Sequence, residues 1–371
     1  MLDYIGLQNF KAFDEIELSL GPLTLLSGLN GSGKSTLLQA IGMLRQSFDG
    51  NFLLNGDLAL NGELVEIGTG RDVLYQGFET PEIGISLGET KRGQSISYRW
   101  VAGADLDADV LACSARPESG ELSLLDLFDR GFQFLRADRI TPSVTSPKSQ
   151  NAVRQQRFLG PKGEYTAHFL LEFGDQITTA EIVRSPHEQR AGSLIAQVNA
   201  WMQEFSPGVR VEPVPVPMTD LVRLVFSYKG EGAAYGEPLR PTNVGFGLTH
   251  ALPVITACLA AAPNTLLVVE NPEAQLHPRG QACIGRLLAL TAANNVQVIV
   301  ESHSDHVLNG IRLAVKEGLL APQQAKLHFF SRNPGEASSY ETPALSAEGR
   351  LSYWPMGFFD EWEKSLDRLL D

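Results

Sequence analysis

The chain is poor in cysteine: Cys113, Cys258 and Cys283 are its only three, and no two stand at a paired spacing. That excludes a disulfide framework and a cysteine-based zinc site, and it suits a reducing compartment. Positive charge is also short. Lys and Arg number 30 against 43 Asp and Glu, a net charge of −13. Such a balance argues against a surface coated for nucleic acid, while leaving room for a local basic patch. The opening Met1-Leu2-Asp3-Tyr4 lacks the basic and apolar blocks of a signal peptide, so the expected location is the cytoplasm. One apolar stretch, Ala251 to Val269, approaches membrane-spanning length, but Pro253, Pro263 and Asn264 interrupt it. A buried helix followed by a buried strand is expected there, and no membrane partner. Heptads are not sustained, which excludes a long coiled coil, and no repeat of solenoid or propeller period occurs. What remains is 371 residues, 43% hydrophobic and 20% charged, enough for a large globular core.

Against that background one segment stands out. Residues Gly28-Leu29-Asn30-Gly31-Ser32-Gly33-Lys34-Ser35-Thr36 form a complete phosphate-binding loop. The apolar run Leu23 to Ser27 before it reads as a buried strand, and Ser35 to Leu44 after it has helical spacing. Glycines let backbone N–H groups converge on phosphate oxygens, and the helix N-terminus adds the positive end of its dipole. Lys34 is expected to reach the β and γ phosphates of a nucleoside triphosphate, and the Ser35 hydroxyl to hold Mg²⁺.

Downstream, Thr265 to Val269 is a second apolar strand ending in Glu270-Asn271-Pro272-Glu273. An acidic strand end of this form is what holds Mg²⁺ opposite a phosphate loop. A third strand, Val296 to Val300, precedes Glu301-Ser302-His303-Ser304-Asp305-His306. Between the two, Arg279 to Ala293 has helical periodicity, so a parallel crossover is expected, with functional residues at the carboxyl ends of its strands.

Taken together these motifs resemble the ATP-binding-cassette heads of the SMC, RecF and overcoming-lysogenization-defect ATPases. The opening Asn9-Phe10-Lys11-Ala12-Phe13 and the phosphate loop are how such heads begin. Residues Glu270 to Pro278 resemble their Asp-Glu-Pro-Glu-x-x-Leu-His-Pro segment, and Ser302-His303-Ser304 their switch histidine. The segment Asn243 to Pro253 sits where their signature motif precedes its helix, and Ala137 to Pro142 adds a weaker match. The tail Tyr353 to Glu361 resembles a bacterial subgroup of small stand-alone AAA-type ATPases often found in phage-defence loci. The resemblance implies an α/β P-loop NTPase of the ABC-ATPase head type. It implies a mixed sheet, an antiparallel lobe and a small helical insertion. The expected division is an N-terminal lobe over 1–140, an insertion over 141–240, a C-terminal lobe over 241–335 and an aromatic tail over 336–371.

Two departures from the family pattern matter. Around Gly245 and Gly247 the signature lacks the usual serine; glycine amides there can still meet the γ-phosphate of a partner subunit, or the segment is a plain bend before a buried helix. In the acidic strand, Glu270 replaces the Mg²⁺-holding aspartate and Asn271 replaces the catalytic glutamate. Asn271 can orient water but cannot take its proton. Glu270 or Glu273 must then serve as base, or hydrolysis is slow. His303 is expected to sense the γ-phosphate. His277, His303, Asp305 and His306 also admit a metal-site reading, although their spacing matches no metal hydrolase.

Between the two halves, Leu53 to Ser97 suggests antiparallel strands, and Leu194 to Phe205 an amphipathic helix carrying Ile195, Val198, Trp201, Met202 and Phe205. From Ile140 to Gly163 no acidic residue occurs, while Lys148, Arg154, Arg157 and Lys162 are present. This reads as a surface loop, either an ordinary solvated one or a strip facing nucleic-acid phosphates. Trp354, Met356, Phe358, Phe359 and Trp362 either pack back as core or form an anchor for a partner.

The expected function is an ATP-binding, slowly hydrolysing switch that dimerises around Mg²⁺-bound ATP and controls a separate effector protein in anti-phage defence. The alternatives are a RecF-like ATPase that clamps duplex DNA, and an ATP-binding scaffold without turnover. Nothing resembling a nuclease or topoisomerase-primase catalytic cluster is present, so any cleavage belongs to a partner.

Overall fold

Alternating burial along the first strands places one face of a sheet in the core: β2 (Phe13–Ser19) buries Phe13, Ile16 and Leu18 and exposes the residues between them. The computed structural model describes residues 1–91, 93–122, 124–230, 234–332, 338–357 and 368–369. The chain divides into two compact units, residues 1–129 with 322–346 and 350–371, and residues 130–321 with 347–349.

The first unit begins with β1 (Leu2–Phe10), β2 and β3 (Leu23–Gly28), followed by α1 (Lys34–Asp49). The short helices α2 (Phe52–Asn55) and α3 (Gly70–Val73) flank β4 (Asp57–Ala59). Then come β5 (Glu82–Lys91), β6 (Gln94–Gly103), β7 (Val110–Ala115) and the single turn α4 (Ser119–Leu122). Six of these strands form an antiparallel sheet in the order β2-β1-β5-β6-β7-β4. The stretch expected to be strand from Leu53 onward is strand only at 57–59 and from 82. Residues 60–81 are mostly irregular, punctuated by left-handed Gly68 and Gly77.

The second unit contains β8 (Gln133–Leu135), β9 (Ser146–Pro147), α5 (Thr166–Phe173), α6 (Leu194–Phe205), β10 (Val209–Pro215) and β11 (Leu221–Tyr228). It continues with α7 (Phe246–Ala260), β12 (Leu266–Glu270), α8 (Pro278–Ala293), β13 (Gln297–Glu301) and α9 (Asp305–Lys316). Strands β13, β12 and β8 lie side by side in parallel, with Val268 opposite both Ile299 and Phe134. The expected strand-helix-strand crossover is therefore present as β12-α8-β13. The interrupted apolar stretch is helix α7 running into strand β12, with Pro253 tolerated inside the helix. In α8 and α9 glycine is a packing requirement: a Cβ on Gly285 would stand 2.1 Å from the Val307 carbonyl oxygen, and one on Gly310 2.2 Å from that of Ala282.

The amphipathic helix α6 has the expected bounds, but its buried face includes a polar residue. Gln197 accepts from the Ser185 N–H at 2.8 Å and donates to the carbonyls of Glu188 and Ala191, fixing the loop before the helix. The segment 140–163 is not a plain surface loop. Strand β9 pairs with β11, a π-helical turn spans Asn151–Gln155, and Val153, Phe158 and Leu159 are buried. Those apolar residues outweigh the polar composition that suggested a loop.

The chain then returns to the first unit with β14 (Ala325–Ser331) and β15 (Ser339–Glu341). Strand β14 runs parallel to β3, with Leu327 opposite Leu25, and antiparallel to β15. In the tail, Trp354 and Met356 are exposed instead of packing as core, and Phe358, Phe359 and Trp362 lie outside the described residues.

His328 on β14 is buried. Its Nδ1 lies 2.8 Å from the Thr342 hydroxyl and its Nε2 2.9 Å from the Ser19 carbonyl. Burial holds its pKa down, from the usual 6.5 to about 4. A depressed folded pKa means that its contribution to stability is fully present above pH 6.5 and is lost as pH falls toward 4. The loss should amount to roughly 3 kcal/mol. Urea melts between pH 7 and 4 should show this acid destabilisation, and His328→Gln should flatten it. An unchanged pH profile in the variant would place the acid sensitivity elsewhere.

Candidate functional site

The sequence-predicted residues fall into two half-sites, one in each unit. In the first, β3 delivers the chain into the loop and α1 carries it away, as the flanking patterns required. Gly28, Gly31 and Gly33 adopt φ values of 138°, 75° and 96°, a region that side-chain-bearing residues avoid. Gly28 is doubly constrained, because a Cβ there would stand 2.1 Å from the Phe330 carbonyl oxygen. At Gly33 a Cβ would enter the Phe13 ring at 2.6 Å. Apart from its chain neighbours, no atom of the described residues lies within 4 Å of a Cβ built on Gly31, so that side of the loop is open among them.

Lys34 is buried, and its Nζ donates to the carbonyls of Gly28 at 3.1 Å and Leu29 at 2.8 Å. The Ser32 hydroxyl donates to Leu29 at 2.7 Å and tightens the same turn. Asn30, Gly31 and Ser35 are exposed, whereas Thr36 is buried. Helix α1 starts without a side-chain cap and without an acidic residue in its first turn. Its first N–H groups and dipole are therefore set to favour an anion. An exposed loop, an uncapped helix start and a buried lysine fit a nucleotide phosphate.

The second half-site gathers at the carboxyl ends of β8, β12 and β13. Glu270 ends β12 half-buried; its Oε2 accepts from the Ala137 N–H at 3.0 Å, and burial raises its pKa against the opposing pull of that N–H and of Arg136. A carboxylate held out of water with few donors is a suitable ligand for a cation. Asn271 stands at φ 43°, and its N–H donates to the Glu301 carbonyl at 2.8 Å. Asparagine tolerates this left-handed geometry better than glutamate does, a local reason for its presence here.

Glu273 occupies a different position from Glu270. Its Oε2 accepts from the Ser302 hydroxyl and its Oε1 from the His303 N–H, both at 2.8 Å, with Asn271 Nδ2 at 3.4 Å. This carboxylate therefore ties the segment after β12 to the segment after β13. His303 is exposed on that braced turn. The cap of α9 is Ser304, which accepts from the N–H groups of His306 and Val307, not Asp305 or His306. His277 caps α8. Among the described residues no group of three His, Cys, Asp or Glu side chains is placed to hold a metal ion.

Two residues escaped the sequence reading. Arg139 is buried and donates from Nη1 to the Glu270 carbonyl at 2.7 Å and from Nη2 to that of Asn271 at 2.5 Å, bracing the strand end. Burial, opposed by Glu273 and Glu270, lowers its pKa to about 10. The second is His250 on α7. Both of its ring nitrogens, the Thr249 hydroxyl and Arg139 Nε are buried without a hydrogen-bond partner among the described residues. Burial and then the Arg139 charge lower the His250 pKa. The only signal in the sequence was that both residues fall inside segments already matched to the family.

At the signature segment, Gly245 precedes α7 and is exposed, and apart from its chain neighbours no described residue comes within 4 Å of a Cβ built on it. Gly247 lies in the first turn of α7, where a Cβ would stand 2.3 Å from the Gln275 carbonyl oxygen. Packing therefore requires glycine here. The basic residues of 140–163 are largely committed within the chain: Arg154 pairs with Glu172 at 2.9 Å, Lys162 with Asp138 at 3.0 Å, and Lys148 reaches the Thr219 carbonyl at 3.4 Å.

Comparison with known proteins agrees with this geometry. The family described as "AAA domain, putative AbiEii toxin, Type IV TA system" matches residues 23–309, and a second, described as "Protein of unknown function (DUF3696)", matches residues 320–369. The chain is 46% identical over 44 residues to the OLD nuclease of Thermus scotoductus, a match covering 12% of this chain and 8% of that protein. Among solved structures, it resembles the SMC head bound to the C-terminal winged-helix domain of ScpA. That likeness has a TM-score of 0.57 at 14% identity, over 93% of this chain and 98% of the other. It also resembles an SMC head with an extended coiled coil, bound to the C-terminal domain of ScpA derived from Pyrococcus furiosus, with a TM-score of 0.52 at 14% identity over 100% and 99% of the two chains. The chain belongs to the AAA-domain family, and its fold is that of the ABC-type ATPase heads.

If Glu273 is the brace between the two segments, Glu273→Ala leaves the His303 N–H and the Ser302 hydroxyl without their acceptor. Amide exchange at His303 should then quicken at least tenfold, about 1.4 kcal/mol of lost protection. Exchange as slow as in the parent would show that the turn is held by other means.

Proposed function

We propose that this AAA-family chain binds Mg²⁺-bound ATP, pairs with a second copy when ATP is bound, and hydrolyses it slowly. The observation that carries the reading is the phosphate loop with Lys34 held against the carbonyls of Gly28 and Leu29. In this reading the amides of Asn30 to Thr36 and the Lys34 ammonium bind the β and γ phosphates. Ser35 and Glu270 would hold Mg²⁺, which supplies charge neutralisation at the phosphates when bound. Phosphoryl transfer depends mainly on positioning and charge, so the chain can act without the glutamate that Asn271 replaces.

Glu273 is assigned chiefly as a positioning residue, since both of its oxygens accept from the turn that carries His303. His303 would sense the γ-phosphate, and Asn271 would orient the attacking water. Removal of its proton falls to Glu270, to Glu273 after rearrangement, or to solvent, which is the reason to expect slow turnover. The raised pKa of Glu270 is compatible with a carboxylate that becomes fully charged as a cation arrives.

The output proposed is control of a separate effector in bacterial anti-phage defence, in the cytoplasm. The toxin–antitoxin description of the matched family supports it. The ScpA-bound SMC heads support a head of this fold engaging a protein partner. A DNA clamp is less favoured, because the basic residues that would meet phosphates are largely engaged within the chain. Asn271 keeps a scaffold without turnover as the second reading.

Sedimentation with and without a Mg²⁺-bound, non-hydrolysable ATP analogue tests the assembly. Mass should double with the analogue in the parent, and remain single in Gly245→Asp, whose carboxylate would face a partner's γ-phosphate. Gly245 is the better choice than Gly247, where any side chain would strain the fold. Steady-state hydrolysis should fall at least tenfold in Glu270→Gln. A parent mass that ignores the analogue would contradict the paired reading.

A further inference from the structure

Arg157, from the basic segment that the nucleotide reading leaves unused, lines a cavity within residues 130–321. The cavity, of about 560 Å³, opens at the amino-terminal ends of β8 and β12, where Gln133 and Thr265 line it, at the other end of those strands from Glu270. This volume is typical of small-molecule pockets. Its lining includes the apolar Leu159, Phe169, Ile177 and Leu259, and none of the residues lining it is Asp or Glu. Arg130, which is exposed, and Arg157 are also among the lining residues. Neither forms an ion pair among the described residues, in contrast to the neighbouring Arg154 and Lys162.

Arg157 is held in place by several independent constraints. Its backbone is left-handed, at φ 59°, a conformation unfavourable for a long side chain. The buried Gln133 amide fixes it there, donating to the Arg157 carbonyl at 2.5 Å and accepting from the Leu159 N–H at 3.1 Å. The guanidinium carbon lies 4.0 Å from the centroid of the Phe173 ring. Arg130 is fixed in turn by donating to the Arg154 carbonyl at 2.5 Å. Burial first and the like charge of Arg130 second lower the Arg157 pKa. Two cations have thus been positioned beside an apolar cavity with no carboxylate to neutralise them, an arrangement that is organised in advance for an anion.

We propose that this cavity binds a small organic anion with an apolar body, its carboxylate or phosphate held by Arg130 and Arg157 and its hydrocarbon part by Phe169, Ile177 and Leu259. The site is independent of the nucleotide reading and uses none of its residues.

Titration calorimetry of the full chain with octanoate, octyl phosphate and octanol tests this. One or both anions should bind at least tenfold more tightly than octanol, and which one does so identifies the head group. Replacing both cations, Arg130→Gln with Arg157→Gln, should weaken anion binding at least tenfold and leave octanol binding unchanged, with thermal melting as the folding control. Ala260→Trp, which fills the cavity from the end of α7 and leaves both arginines in place, should abolish binding of all three probes; it also serves if the double variant fails to fold. Equal affinity for octanol and the anions, no binding of any probe, or parent-like anion binding in Arg130→Gln/Arg157→Gln or Ala260→Trp would overturn the proposal.

Discussion

A buried ammonium group must be surrounded by oxygen, and Lys34 imposes that demand on everything near it. At 3% exposure it meets the demand with the carbonyls of Gly28 and Leu29. Those carbonyls can face inward only because the chain turns through left-handed positions at Gly28, Gly31 and Gly33. Gly28 in turn lets β3 lie against β14 at Phe330, where any side chain would collide with backbone. Strand pairing, loop shape and the open start of α1 are thus consequences of one arrangement, and the same arrangement presents N–H groups and positive charge to an anion.

The acidic half-site separates duties that one carboxylate could not combine. Glu273 is engaged by the Ser302 hydroxyl and the His303 N–H, so it fixes geometry. Glu270 accepts from Ala137 and is kept from full solvation, so it retains capacity for a cation. Arg139 stabilises the strand end through the backbone carbonyls of Glu270 and Asn271, and among the described residues the Glu270 carboxylate forms no direct ion pair. Water-poor surroundings then strengthen whatever electrostatic contact is made there. On the helix that follows Gly245, both His250 nitrogens and the Thr249 hydroxyl are buried without a hydrogen-bond partner among the described residues.

Features with a local cause were legible in the amino-acid order. The phosphate loop, α6, and the strands and helix of β12-α8-β13 follow from glycine placement and apolar periodicity, and each has nearly the predicted bounds. Features decided by distant contacts were not. The segment 140–163 looked like a loop because its polar residues outnumber its apolar ones, yet Val153, Phe158 and Leu159 find a core and Glu172 and Asp138 find its charges. At Gly247 the Gln275 carbonyl supplies a packing reason for glycine that the sequence did not reveal. Asn271 looked like a lost catalytic group, and its left-handed backbone supplies a second cause. The bracing of the turn by Glu273 and of the strand end by Arg139 depends on partners 29 or 30 and 131 or 132 residues away, which no local pattern encodes.

The central claim is that the loop around Lys34 is built for a run of phosphates rather than for a base or a sugar. Calorimetric titration of the parent chain with AMP, ADP and ATP in the presence of Mg²⁺ tests it most directly. The account predicts that ATP binds at least a hundredfold more tightly than AMP, a difference of about 2.7 kcal/mol, with ADP between them or close to ATP. It also predicts that Lys34→Ala removes most of that difference. Equal affinities for AMP and ATP, or a Lys34→Ala chain that still discriminates between them as the parent does, would contradict it.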